Sequence, residues 1–131
     1  MQRILVIDDE PFVLEALKRA LAATAVVVVA STADAGLAAM REAPVDLVIV
    51  DVILPGMDGV AAIKLIRRDH PGVRIIAISG GGNFGLNSYL PNAISTSAYL
   101  AACKAAGADG VLAKPFETAE LRSLINQVQA A

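Results

Sequence analysis

A chain of 131 residues is long enough for one domain with its own core, and a composition that is 56% hydrophobic but only 4% aromatic predicts an aliphatic core. The net charge of −2 and the lack of a basic stripe exclude nucleic acid as a direct partner. No segment has the pattern of a signal peptide or a membrane span, and the single cysteine, Cys103, excludes an internal disulfide. We therefore expect a cytoplasmic protein that does not bind membranes.

Short apolar runs rich in β-branched residues alternate with helical patterns along the whole chain. The predicted strands are residues 4–7, 25–30, 47–50, 75–78 and 111–113. The helical patterns lie around residues 13–21, 34–43, 60–70, 99–106 and 121–128. Short apolar runs bounded by turn residues are typical of strands buried on both faces of a parallel sheet. Strict alternation of strand and helix predicts an α/β fold, a doubly wound parallel sheet with helices on both faces.

Local signals support the predicted helix ends. Pro11 stands where the first turn of a helix tolerates proline. Residues 31–34 have the form of a capping box, and Pro44 ends the helix that they start. Gly107 occupies the position that glycine takes just after a helix. Residues 80–97 depart from this regularity, because loops of α/β units usually have about 2–6 residues, and we interpret them as an insertion.

Polar residues follow four of the predicted strands. They are Asp8 and Asp9, Asp51, Ser79 and Lys114. Ligands of an open parallel sheet bind beyond the carboxyl ends of its strands, so these side chains are expected to converge there. Three carboxylates, a hydroxyl and an ammonium group at one edge predict a site for a divalent cation and a phosphoryl group.

The three carboxylates need a cation. Two carboxylates about 4 Å apart repel by about 4 kcal/mol at an effective dielectric constant near 20, and each raises the pKa of the other. An all-oxygen ligand set suits Mg²⁺. The alternative is that Asp8 and Asp9 only cap the first helix, but capping needs one acid and leaves Asp51 unexplained.

Together, these motifs resemble the receiver domain of two-component response regulators. The residues that carry the resemblance are Asp8-Asp9, Asp51 with Pro55 and Asp58-Gly59, Ser79, and Lys114-Pro115-Phe116. The resemblance covers nearly the whole chain except roughly residues 82–97. It implies that residues 1–131 form one flavodoxin-like receiver domain with strand order 2-1-3-4-5.

The resemblance also implies roles for the acidic residues. Asp51 would be the phosphoacceptor, since aspartate can form a covalent acyl phosphate. The donor would be a phosphohistidine on a sensor histidine kinase or a histidine phosphotransfer protein, or a small acyl phosphate. Mg²⁺ would be bound directly by Asp9, Asp51 and the backbone carbonyl of Ile53, and through water by Asp8.

The remaining implied roles concern the switch. Lys114, aimed by a cis bond to Pro115, and Ser79 and Gly80 would bind the phosphoryl oxygens. Val111 stands at the fifth-strand position where the family usually has an aromatic switch residue. The downstream partner stays unknown, and the oligomeric state is expected to be monomer or weak homodimer.

Two alternatives remain at this point. The chain could be an adaptor that keeps the receiver fold and binds a partner through the insertion without phosphorylation. It could also be a hydrolase of the haloacid-dehalogenase type, but such an enzyme needs an acid where this chain has Ile53. We expect no classical enzyme, only self-phosphorylation and autodephosphorylation, and Met1 directly before the first strand suggests a natural start.

Overall fold

The computed structural model describes residues 2–54, 56–79 and 93–130. The elements, in chain order, are β1 (Gln2–Ile7), α1 (Pro11–Leu21), β2 (Ala25–Ala30), α2 (Ala33–Glu42), β3 (Leu47–Asp51), α3 (Gly59–Asp69), β4 (Arg74–Ser79), α4 (Ala93–Ala106), β5 (Gly110–Ala113) and α5 (Thr118–Ala130). Every predicted strand and helix is present, and α4 begins well before residue 99, where its helical pattern becomes visible. The predicted insertion at residues 80–97 falls largely outside the described residues. None of the described helices is long and apolar enough to cross a bilayer.

The five strands form one parallel sheet in the order β2-β1-β3-β4-β5, as predicted. Ile7 at the end of β1 lies beside Val50 of β3, and Ser79 at the end of β4 lies beside Ala113 of β5. The chain therefore leaves these four strands at one edge of the sheet. Any side chain just beyond that edge has neighbours from the other strands.

The core has two layers because successive strand residues point to opposite faces of the sheet. One face buries Leu5, Ile7, Val48, Val50, Ile75 and Ala77 with residues of α2, α3 and α4. The other buries Ile4, Val6, Leu47, Ile49, Ile76 and Ile78 with residues of α1 and α5. Aliphatic side chains fill both layers, as the composition predicted.

Cys103 belongs to the first of these layers and is fully buried. Burial raises the pKa of its thiol to about 11, and the charge of Asp58 adds to the effect. A thiol in this environment stays protonated. Cys103 therefore packs as a small apolar residue of the core.

The segment after β3 is held against the start of α3. Asp58 is the N-cap of α3, and its carboxylate accepts a hydrogen bond from the N–H of Val60 at 3.0 Å. The N–H of Gly59 donates to the carbonyl of Val52 at 2.9 Å. A Cβ atom on Gly59 would lie 2.2 Å from the Cα of Val52, so only glycine allows this approach. The contact fixes the backbone directly after Asp51.

A charged cluster ties the elements together at the opposite edge of the sheet. Arg67 of α3 donates hydrogen bonds to the carbonyls of Val73 and Gly107 and to the carboxylate of Asp109. The same Asp109 oxygen accepts from the backbone N–H of Ile75 at 2.9 Å. One side chain thus joins the end of α3, the start of β4 and the turn before β5.

Candidate functional site

The three predicted carboxylates come together at the carboxyl edge of the sheet. Asp8 and Asp9 directly follow β1, and Asp51 is the last residue of β3. Because Ile7 lies beside Val50, the acids leave neighbouring strands at the same level. Each of the three residues offers an oxygen within 4.8 Å of the others. Asp8 and Asp51 are only 1% and 4% exposed, whereas Asp9 is exposed.

Backbone donors orient the two buried carboxylates. One oxygen of Asp8 accepts a hydrogen bond from the N–H of Glu10 at 2.8 Å, and one oxygen of Asp51 accepts from the N–H of Ile53 at 2.9 Å. The N-cap of α1 is Glu10, and no side chain caps this helix. The alternative that Asp8 and Asp9 serve only as helix caps is therefore wrong.

Lys114 lies at the centre of the site. Its Nζ is 2.9 Å from Asp8 and 3.1 Å from Asp51, in each case from the oxygen that does not accept the backbone hydrogen bond. A third carboxylate, that of Glu10, lies 3.1 Å from the same ammonium. The bond between Lys114 and Pro115 is cis, as the resemblance implied. The Lys114 side chain is 9% exposed, so these charge-assisted contacts lie in a largely dry environment.

The pKa shifts in the site follow from burial and from the sharing of one cation, Lys114, by Asp8, Glu10 and Asp51. Burial raises the pKa of Asp51 to about 6; the charge of Asp8 adds to this, while the Ile53 N–H and Lys114 act in the opposite direction. Burial alone would lower the pKa of Lys114, but the hydrogen bond to Asp8 and the charges of Asp51 and Asp8 outweigh it and raise that pKa. Lys114 therefore stays charged, and it only partly neutralises the acids around it.

We expect Asp51→Asn to stabilise the fold above the Asp51 pKa of about 6. Because the folded-state pKa is raised, protonated Asp51 favours folding, and this contribution is lost as the pH rises through about 6. An asparagine avoids the buried charge, so the variant should be more stable by about 3 kcal/mol at alkaline pH. The gain should vanish below about pH 4, where the carboxyl group is protonated in both states. Urea unfolding of both proteins across this pH range, without Mg²⁺, measures the difference in stability. An Asp51→Asn variant that is less stable than the wild type at alkaline pH would contradict the prediction.

Ser79 and Val111, two residues with predicted switch roles, lie on neighbouring strands. Ser79 ends β4, is 3% exposed, and accepts a hydrogen bond at its carbonyl from the N–H of Lys114 at 2.8 Å. Val111 lies in β5 and lines a cavity of about 320 Å³ together with Leu124 and Val128 of α5. Gly80 lies outside the described residues.

An apolar groove opens beside the acidic site. Phe12 in the first turn of α1 is 87% exposed, the most exposed large hydrophobic side chain in the described ranges. It lines a groove of about 390 Å³ with Val13, Lys114, Pro115 and Phe116. Sequence reasoning missed both Phe12 and the contact of Glu10 with Lys114. Their signal in the sequence was their position one and three residues after Asp9.

Residues 4–126 match the family model of the response regulator receiver domain. The chain belongs to this family. This receiver domain has the acidic pocket typical of phosphoacceptor sites in two-component signalling, and it is not a classical enzyme. Membership in the family also implies a cognate histidine kinase.

The receiver domain is similar to several known proteins. The chemotaxis protein CheY of Bacillus subtilis is 32% identical over 127 residues, which are 95% of each chain. The DNA-binding response regulator MtrA of Mycolicibacterium smegmatis is 35% identical over 92% of this chain but only 47% of its own length. The crystal structure of a CheY-like receiver domain protein from Methanospirillum hungatei superposes with a TM-score of 0.80 at 26% identity, over 97% of this chain and 92% of that one. The chain spans less than half the length of MtrA.

Proposed function

We propose that the chain is one receiver domain, with an insertion at about residues 80–97, in which Asp51 accepts a phosphoryl group from a phosphohistidine donor and thereby switches a partner-binding surface. The observation that carries this proposal is the position of the Asp51 carboxylate. It is 4% exposed, close to two further acids, and 3.1 Å from the Lys114 ammonium. An oxygen of Asp51 would form a bond to phosphorus while the bond from phosphorus to the donor histidine nitrogen breaks.

Magnesium fits the site by the chemistry of its donors. Three carboxylates offer only hard oxygen ligands within 4.8 Å of one another, and one ammonium does not balance their charge. We propose that Asp9, Asp51 and the carbonyl of Ile53 bind Mg²⁺ directly and that Asp8 binds it through water. When bound, the ion supplies the positive charge that phosphoryl transfer between anionic groups requires.

Lys114, Ser79 and Gly80 are the proposed ligands of the phosphoryl oxygens. In the described arrangement Lys114 is held by the acids, so it must exchange an acid for a phosphoryl oxygen when Asp51 is modified. Its backbone N–H is bonded to Ser79, so a displacement of either residue is transmitted to the other. We propose that this coupled displacement is the switch and that it reaches Val111 in β5, the strand that Lys114 directly follows.

The test is covalent labelling with acetyl phosphate and Mg²⁺, followed by intact-mass measurement. We expect one phosphoryl group on the wild type and none on Asp51→Asn. Asp58→Asn is the matched control, because Asp58 caps α3 and keeps its capping oxygen as asparagine, so it should label like the wild type. Unchanged labelling of Asp51→Asn would overturn the proposal.

A protein donor must cover the surface around the mouth of the site, where Phe12 and its groove lie. We therefore expect Phe12→Ala to slow transfer from a phosphohistidine protein by about tenfold, the loss of one moderate apolar contact. Transfer from acetyl phosphate should be unchanged, because a small donor does not touch the groove. Stopped-flow rates with both donors measure this, and equal slowing with both would contradict a docking role for Phe12.

A further inference from the structure

β2 is an uncharged edge strand. It stands at the end of the sheet order, and within the described ranges no strand pairs with its outer side. Its sequence is Ala-Val-Val-Val-Val-Ala, and residues 21–33 contain no charged side chain. Edge strands usually carry charges, prolines or bulges that prevent pairing with another chain. β2 has none of these protections.

Two of its valines are exposed on opposite faces of the sheet. Val26 is 45% exposed and Val29 is 38% exposed. Among the large hydrophobic residues that the structure describes, only Phe12 is more exposed than these two. Val28 packs with the layer under α2, and Val27 packs with the layer under α1. The rim of the sheet is therefore apolar on both sides of its open backbone.

The direction of the backbone groups can be read from one hydrogen bond. The N–H of Asp8 donates to the carbonyl of Ala30 at 3.0 Å, so Ala30 faces β1. The N–H and C=O of a strand residue point to the same side, and this side alternates along the strand. Val27 and Val29 therefore direct their N–H and C=O groups away from the sheet.

We propose that two copies of this chain pair antiparallel through β2 and form one continuous sheet across a two-fold axis. When the two-fold axis is perpendicular to the sheet, the same face of both copies lies on the same side of the combined sheet. Side chains that meet across the contact must therefore belong to the same face. Val27 and Val29 satisfy this condition, because both belong to the odd-numbered face and both have outward backbone groups. Val27 of one copy and Val29 of the other then exchange two backbone hydrogen bonds. The two-fold axis generates the same two bonds between Val29 of the first copy and Val27 of the second.

A second copy is the occupant that these observations favour. Two identical charged edges would repel each other, whereas residues 21–33 bring no charge to the contact. The arrangement closes at two copies because both subunits use the same edge. Six residues from each chain bury a small area, so the dimer is weak and depends on concentration. This association is separate from phosphorylation of Asp51.

The test is sedimentation velocity over a wide range of protein concentration. We expect the mean mass of the wild type to rise toward twice that of the monomer. Val29→Pro should stay monomeric, because it removes an outward N–H that β1 does not use, and edge strands tolerate proline there. Val29→Thr keeps the N–H and the shape, and it should associate like the wild type.

Amide hydrogen exchange locates the contact. The N–H groups of Val27 and Val29 should become more protected as the wild-type concentration rises, while that of Val28 should be protected at every concentration. A wild type that stays monomeric, oligomers larger than two, or association of Val29→Pro equal to that of the wild type would overturn the proposal. Asp51→Asn should dimerise normally, so the failure of this inference is distinguishable from failure of the phosphoacceptor role. Far-ultraviolet circular dichroism verifies that each variant is folded.

Discussion

Lys114→Met is expected to destabilise the domain by about 3 kcal/mol at neutral pH, because it leaves buried carboxylates without their cation. The ammonium lies within 3.1 Å of Asp8, Glu10 and Asp51, and the first and last of these are almost inaccessible to solvent. Methionine fills similar space without charge, so the loss reports the electrostatic role and not a cavity. Urea unfolding of the variant and the wild type measures the difference.

Because the lost stability of Lys114→Met is electrostatic, we expect it to respond to pH and to Mg²⁺. Acidification should restore much of the stability, because the raised pKa of Asp51 rises further without Lys114 and the neutral acid no longer needs a partner. Mg²⁺ should stabilise the variant more than the wild type, since Lys114 no longer competes for the carboxylates. Lys18→Met, at an exposed position in the last turn of α1, is the matched control and should change stability little. Equal stability of Lys114→Met and the wild type would contradict this account.

Gly59→Ala is expected to destabilise the domain by about 3 kcal/mol or more, because the added methyl group meets backbone that cannot rotate away. The Cβ would lie 2.2 Å from the Cα of Val52 and 2.6 Å from its carbonyl oxygen. Intrinsic helix propensity acts in the opposite direction, since alanine is better than glycine in a helix by about 1 kcal/mol. The close approach and the helix propensity therefore predict opposite signs for the change in stability. A stabilised variant would contradict the dominant role of the close approach.

Gly72→Ala is the control for this substitution, because nothing lies within 4 Å of a Cβ at that position. It should change stability by less than about 0.5 kcal/mol. Gly59→Ala should also weaken Mg²⁺ binding, since Val52 directly follows Asp51 and its displacement moves the carboxylate. Thermal melts with and without Mg²⁺ compare the two alanine variants directly.

The convergence of Asp8, Asp9, Asp51 and Lys114 could be predicted from the sequence because it depends on topology alone. In a parallel sheet all strands end at one edge, so residues after the apolar runs must meet there. The strand order did not follow from this argument; it was implied by the family resemblance that the motifs suggested, and the structure confirms it. The helix ends at Pro11 and Gly107 were also readable, since proline and glycine restrict the backbone locally.

The pairing of Lys114 with the acids was not foreseen. A lysine at a strand end predicts a cation near the edge, but the direction of its long side chain depends on which charges the fold places nearby. The same limit applies to Glu10, whose contact with Lys114 joins residues 104 positions apart in the chain. It also applies to the exposure of Phe12, which depends on the packing of α1. Arg67 gave no signal either, because its partners Val73 and Gly107 come from separate turns.

The Arg67 cluster has a consequence for how a signal leaves the site. It clamps the amino ends of β4 and β5 to α3, at the edge of the sheet farthest from Asp51. If the proposed switch displaces Ser79 and Lys114, we expect β4 and β5 to rotate about this fixed end and not to slide along it. α4 contacts both strands and should move with them.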